Sequence, residues 1–241
     1  MIGGLLLLSV LMVLFAARIA RWIRIPPREP EPFRWIPRQV GQALETGQPL
    51  HLALGSGGLI SSEAALTLSG GRMLERLARD AAAGEVPPFV TVADPVALVY
   101  ARHVLQEAYR RRGIPSTVPP DRVWWAGASP MAYAAGLTLF LGTEPVATSG
   151  MAGLFREEGV LVGEIGQRYG ARSIFTMPDL TGAAVLWPLD PALAVGEEAF
   201  ALSPQEEIPG QPSALLLTHD LIRWLLILLL VAAALGLALR G

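Results

Sequence analysis

Hydropathy is concentrated at the two ends of the chain, and that placement restricts the architecture more than any single motif. Ile2 to Ala17 contains no charged residue, and continuing through Arg18 to Ala20 supplies the roughly 20 residues needed to cross a hydrocarbon layer as a helix. Leu221 to Leu239 is a second such run, interrupted only by Arg223 and closed by Arg240, with Trp224 where an interfacial aromatic belongs. Leu225 to Leu235 has no polar face, so a helix there needs a cover of lipid or protein around its whole circumference. A cleaved signal peptide is the competing reading of the first run. It lacks the preceding basic region, and Arg18, Arg21, Arg24 and Arg28 follow directly.

Those arginines, with Arg34 and Arg38, crowd the inner end of the first helix, and a basic flank of this kind is retained in the cytoplasm. The expectation is a multi-pass plasma-membrane protein with transmembrane helices over 1–20 and 219–240, both termini outside, and a central cytoplasmic domain. The lipid bilayer is then a partner of the chain. Homo-oligomers or neighbouring membrane proteins are the expected further partners.

The middle of the chain excludes several chemistries by what it lacks. The 19 basic and 21 acidic residues leave a net charge of −2 without a basic stripe, which argues against nucleic acid as a partner. Without cysteine there is no disulfide, thiolate nucleophile or Cys-ligated zinc. Every basic residue is arginine, which removes the Walker A lysine, the Schiff-base lysine and the Ser/Lys dyad. His51, His103 and His219 have no metal-ligand spacing, so no metal site is expected, and no cofactor can be named.

Residues 21–48 read as an Arg/Pro-rich linker, in which Ile25 to Phe33 (IPPREPEPF) favours a stiff extended spacer. Residues 203–218, with Pro204, Pro209 and Pro212 around Glu206 and Glu207, read as the return linker to the second apolar run at 219–240. Between them, over 49–202, short β-branched runs alternate with helical patterns. This rhythm predicts an α/β domain with a Rossmann-like, open, mostly parallel sheet and helices on both faces. Expected strands are Leu50–Leu54, Phe89–Ala93, Arg122–Ala126, Pro145–Thr148 and Ser173–Met177. Expected helices start at Ser61 or Ser62, Asp94-Pro95, Ser129-Pro130, Phe155 and Asp190-Pro191.

The first strand runs into Gly55-Ser56-Gly57-Gly58, where a strand-to-helix turn can aim backbone amides at a ligand. The dinucleotide spacing is incomplete, because position 60 is Ile, and a tight turn requires glycine in any case. Asp94, Ser129, Ser149 and Asp179 are expected near the same carboxyl edge, with helix capping as the alternative role of each. Glu157, Glu158 and Glu164 share one predicted helix, and the seven-residue step from Glu157 to Glu164 returns to one face. Paired carboxylates there, or Glu197 with Glu198, suit acid–base work or a divalent cation; solvated surface and ion pairs to Arg168 or Arg172 are the competing use. Trp124 and Trp125 face opposite sides of their strand, either exposed or covered by helices.

Ala128 to Gly136 (ASPMAYAAG), continuing to Gly153 through Thr143-Glu-Pro-Val-Ala-Thr-Ser-Gly150, resembles the serine-bearing region of membrane-anchored signal-peptide peptidases of the crotonase fold. The resemblance implies Ser129 as nucleophile, but Pro130 replaces the usual glycine and the chain contains no lysine base. A second resemblance spans most of the chain. Gly55-Ser-Gly-Gly, Leu74-Glu-Arg-Leu-Ala-Arg79, Pro87-Pro-Phe-Val-Thr-Val-Ala-Asp-Pro95, Ala132-Tyr-Ala-Ala-Gly136 and Gly196-Glu-Glu-Ala-Phe200 resemble an uncharacterised bacterial membrane-protein family, a domain of unknown function of Chloroflexota-type genomes. It implies membrane attachment and transfers no catalytic residue.

Two functions follow from these residues. One is a noncatalytic, membrane-anchored assembly module that senses a ligand at Gly55–Gly58. The other is a membrane-anchored hydrolase or nucleotide-binding enzyme using Ser129, Asp94 or the Glu157 and Glu164 face.

Overall fold

The computed structural model describes residues 15, 18, 30–84, 86–114, 118–169, 172–189, 193–200, 219–227, 230, 231 and 236. Two compact units divide the chain, one comprising Met1–Arg28 with Ser203–Gly241 and the other Glu29–Leu202.

The second unit is an α/β fold. Its strands are β1 (Leu50–Gly55), β2 (Phe89–Val92), β3 (Val123–Trp125), β4 (Thr148–Leu154), β5 (Arg172–Met177) and β6 (Ala194–Val195). Its helices are α1 (Glu31–Arg34), α2 (Ile36–Thr46), α3 (Ala64–Ala81), α4 (Pro95–Arg111), α5 (Pro130–Thr143), α6 (Glu158–Arg168) and α7 (Leu180–Leu186). The six strands pair in parallel throughout, in the order β3-β2-β1-β4-β5-β6.

That order is the doubly wound arrangement of Rossmann-type sheets. The chain starts at the centre, runs outward to β3, crosses back to β4 and runs outward again. Its direction reverses between β1 and β4, and the carboxyl ends of those strands border the switch-point crevice where such sheets take ligands. Helices cover both faces, as expected. Phe33, Val40, Leu74, Leu77 and Leu105 share one core with the near side of the sheet, while Tyr133, Phe140, Val162 and Leu186 share the other.

Local chemistry sets the helix starts. Asp94 accepts from the Ala97 amide at 2.8 Å, Ser129 from Ala132 at 3.3 Å and Asp179 from Gly182 at 3.0 Å, each satisfying a donor that the first helical turn leaves open. At α3 the start differs from expectation. Glu63 occupies the cap position but its side chain makes no capping bond, while Ser61 donates to the Gly58 carbonyl and accepts from the Glu63 amide.

Other differences have equally physical causes. The stretch expected as spacer is helical from Glu31, because Pro32 and Pro37 sit in first turns, where the missing N–H costs nothing, and Phe33 and Ile36 enter the core. Gln39 of α2 is tied to the sheet by the Thr148 hydroxyl, which donates to its side-chain carbonyl at 2.6 Å. The fourth strand begins at Thr148, where it was expected to end. The sixth helix starts at Glu158, three residues after Phe155. Where a helix was expected after Asp190-Pro191, Ala194–Val195 adds a short strand and Gly196–Phe200 a 3-10 turn; residues 190–192 themselves lie outside the described residues.

In the other unit, residues 219–227 are helical, as are Phe15 and Arg18. Leu225, Leu226 and Ile227 follow one another around that helix and each is exposed by about half. Among the described residues no helix is long and apolar enough to cross a membrane. The expected span 1–20 falls largely, and the return linker at 203–218 wholly, outside the described residues; of the expected span 219–240, residues 219–227, 230, 231 and 236 are described.

Candidate functional site

The switch point is built by two strands closing on each other. Gly55 ends β1 at φ +79°, and the Ser56 amide donates to the Leu154 carbonyl of β4 at 2.9 Å. A Cβ at position 55 would stand 2.0 Å from that carbonyl oxygen, so only glycine fits both the dihedral and the space. β4 carries one extra residue here, since Ala53 pairs with Met151 and Gly55 with Leu154.

The neighbouring glycines also serve packing. A Cβ on Gly57 would meet the Thr67 hydroxyl at 2.5 Å, and one on Gly58 would approach the Asp94 carboxylate at 3.4 Å. The turn therefore lies against α3 and faces a carboxylate.

Beside it, the Ser56 hydroxyl donates to Glu158 Oε1 at 2.7 Å, and the Arg156 amide donates to Oε2 at 3.2 Å. Glu158 is buried, and among the described residues no guanidinium pairs with it. The Arg156 guanidinium instead donates to Glu63 at 2.6 Å on the surface. Glu158 is thus buried with both oxygens engaged, Asp94 is engaged as a helix cap, and Glu63 shares the surface beside the turn with the Arg156 guanidinium.

Under this crevice lies a polar chain inside the sheet. His51 is held between the Ser149 hydroxyl (2.9 Å, Nδ1) and the Thr91 hydroxyl (3.0 Å, Nε2). Thr91 also contacts the Tyr133 hydroxyl at 3.0 Å, and that hydroxyl accepts from the Gly55 amide at 3.3 Å. Burial pushes the His51 imidazole down to about 3 and raises the Tyr133 phenol, so both are neutral at ordinary pH. The chain links the interior of the sheet to the glycine turn through neutral groups.

The other expected residues are dispersed. Asp94, Ser129 and Asp179 lie at the carboxyl edge and cap helices there. Ser149 does not: as the second residue of β4 it is buried beside His51, because that strand starts where it was expected to stop. Glu157 is the residue before α6, and Glu164, within α6, accepts from Arg168 at 2.5 Å. Glu197 and Glu198 sit in the 3-10 turn after β6. Among the described residues no group of three or more His, Asp or Glu side chains is placed to hold a metal ion.

A second surface carries no sequence motif. From Val123 to Thr143 the chain has no charged residue, yet this stretch supplies the edge strand β3 and the whole of α5. Trp124 (40% exposed), Trp125 (50%), Met131 (53%) and Leu139 (62%) stand open on it. Trp124 leans on Phe140 of α5, with ring centroids 5.5 Å apart, and the Trp125 indole donates to the Ala93 carbonyl at 2.9 Å. The signal available in the sequence was the length of the uncharged run.

Residues 1–239 match a family described as a domain of unknown function (DUF6754). No curated protein and no solved structure matches the chain.

Proposed function

The chain belongs to the DUF6754 family, and we propose that it is a membrane-anchored module whose α/β domain works by assembly with other protein rather than by turnover. The observation that carries this reading is the uncharged flank of β3 and α5, with two tryptophans, a methionine and a leucine exposed on it. Interface cores are depleted of charge and enriched in aromatic residues and methionine, and a surface of this kind is costly to leave in water.

Attachment to a bacterial plasma membrane, with the domain in the cytoplasm, is supported by the two apolar runs and the arginines beside the first. The half-exposed succession Leu225, Leu226 and Ile227 supports it further, since the sequence from Leu225 to Leu235 offers no polar side chain to face water. The crevice at Ser56 and Glu158 is a second, ligand-sensing element of the same reading, favoured by a buried carboxylate whose hydrogen-bond partners among the described residues are a hydroxyl and an amide. Its ligand class is a small molecule bearing hydroxyl or ammonium donors.

Native mass spectrometry of the full-length chain, released from its own membrane in mild detergent, tests the proposal. An oligomer or a complex with another membrane protein is expected. A monomer at every concentration overturns the assembly reading, and a monomer carrying one small molecule transfers the function to the Ser56 crevice.

A further inference from the structure

We infer that the outer edge of β3 is a homodimer interface, at which Val123–Trp125 pairs antiparallel with the same strand of a second copy about a two-fold axis through Trp124. The inference rests on the assembly reading above and names its partner.

The backbone ladder sets the register. β3 pairs with β2 through Val90 with Val123, Thr91 with Trp124 and Val92 with Trp125, and the Ala126 amide donates to the Val92 carbonyl at 2.9 Å. Parallel ladders alternate, so Trp124 and Ala126 direct their N–H and C=O toward β2 while Val123 and Trp125 direct theirs away from the sheet. β3 is the end strand of the sheet, and those outward groups find no strand among the described residues.

An antiparallel copy answers this pattern in one register. With Trp124 opposite Trp124, Val123 of each copy lies opposite Trp125 of the other, and these two outward-facing residues exchange both of their hydrogen bonds. Trp124 then occupies the non-hydrogen-bonded position, where opposed side chains come closest. Two six-stranded sheets become one continuous sheet.

Charge argues for self-pairing over a foreign strand. Like charges directly opposite destabilise a strand pair, and a two-fold axis brings like next to like by construction. Val123 to Thr143 contains no charge to repel, so this flank is complementary to itself. The indoles extend the contact on both faces, Trp124 on the side of Phe140 and α5, Trp125 on the side of Val123 and α4.

The chain has no cysteine, which makes a single introduced thiol diagnostic. Opposed α-carbons at a non-hydrogen-bonded position lie about 4.5 Å apart, within disulfide reach. Full-length Trp124→Cys, mildly oxidised in detergent, is expected to form a dimer of twice the chain mass. Trp125→Cys and Ile60→Cys are expected to cross-link at least roughly tenfold less, because neither stands opposite itself. Trp124→Glu and Trp124→Arg copies, each expected to be monomeric, are expected to pair with one another when mixed, which shows that both variants still fold.

An oligomer by mass in which Trp124→Cys cross-links no better than Ile60→Cys overturns this interface and leaves assembly standing. A monomer overturns both. A cross-link to a chain of different mass assigns the edge to a foreign protein, and quenching of Trp124 by brominated lipid in a monomer assigns it to the bilayer; either result overturns the inference.

Discussion

Two helices flank β3, and they meet water in opposite ways. On one side α4 ends in a surface ion-pair network: Glu107 accepts from Arg110 at 2.8 Å and from Arg111 at 2.9 Å, and those hydrogen bonds hold its carboxyl at about 2. On the other side α5 has no charged residue, and Met131 and Leu139 stand exposed. The outer face of α4 carries this ion-pair network beside exposed Val96 and Val99, whereas that of α5, with the strand edge next to it, has no charge at all. The proposed interface at β3 rests on that contrast.

The apolar character of α5 also has a consequence inside the sheet. Its Phe140 packs on His51, with ring centroids 5.1 Å apart, and helps to seal that imidazole from water. The folded pKa of about 3 lies below the unfolded value of 6.5, so the unfolded chain takes up the proton first as pH falls. Stability should be unaffected by His51 well above pH 6.5 and should fall between 6.5 and 3, on the order of 5 kcal/mol in all. Chemical denaturation across that window, compared with His51→Gln, checks the slope; equal slopes would show that His51 is not sealed.

Closeness of α5 to the sheet end gives the next effect. A Cβ on Gly136 would stand 2.0 Å from the Ala126 carbonyl oxygen, so Gly136→Ala should push α5 away from the end of β3 and cost about 3 kcal/mol. Urea unfolding measures it, and an unchanged midpoint would mean that α5 does not lie this close.

Removing the caps should affect the two flanks equally. Asp94→Ala at the start of α4 and Ser129→Ala at the start of α5 should each cost about 1 kcal/mol, with no other loss. If either abolished a turnover while retaining its melting temperature, a catalytic role would replace capping. The smallest effect belongs to the solvated flank: Glu107→Gln should leave the oligomeric mass unchanged, and its dissociation would place the interface on α4.

How far the sequence carried this picture depends on the neighbours each residue meets. β1, β2, β3 and β5 were legible because their short runs of branched and aromatic side chains favour strands, and the Asp-Pro and Ser-Pro pairs marked the starts of α4 and α5. β4 was not, because Thr-Ser-Gly-Met-Ala-Gly-Leu reads as a turn. Its small residues instead admit α3, where a Cβ on Gly70 would stand 2.4 Å from the Ala152 carbonyl oxygen. The pairing of His51 with Ser149 joins residues 98 apart and depends on the crossing from β3 back to β4. Likewise, Glu157 and Glu158 are adjacent carboxylates in the sequence, and only the closing of β4 on β1 buries the second against Ser56.

Amide hydrogen exchange on the full-length chain in detergent, followed over a range of protein concentrations, tests the β3 edge most directly. The account predicts that the Val123 and Trp125 amides, which point away from β2, become protected as concentration rises, while the Trp124 amide, already bonded within the sheet, is protected throughout. Exchange of Val123 and Trp125 at the rate of an open edge, unchanged by concentration, would contradict it.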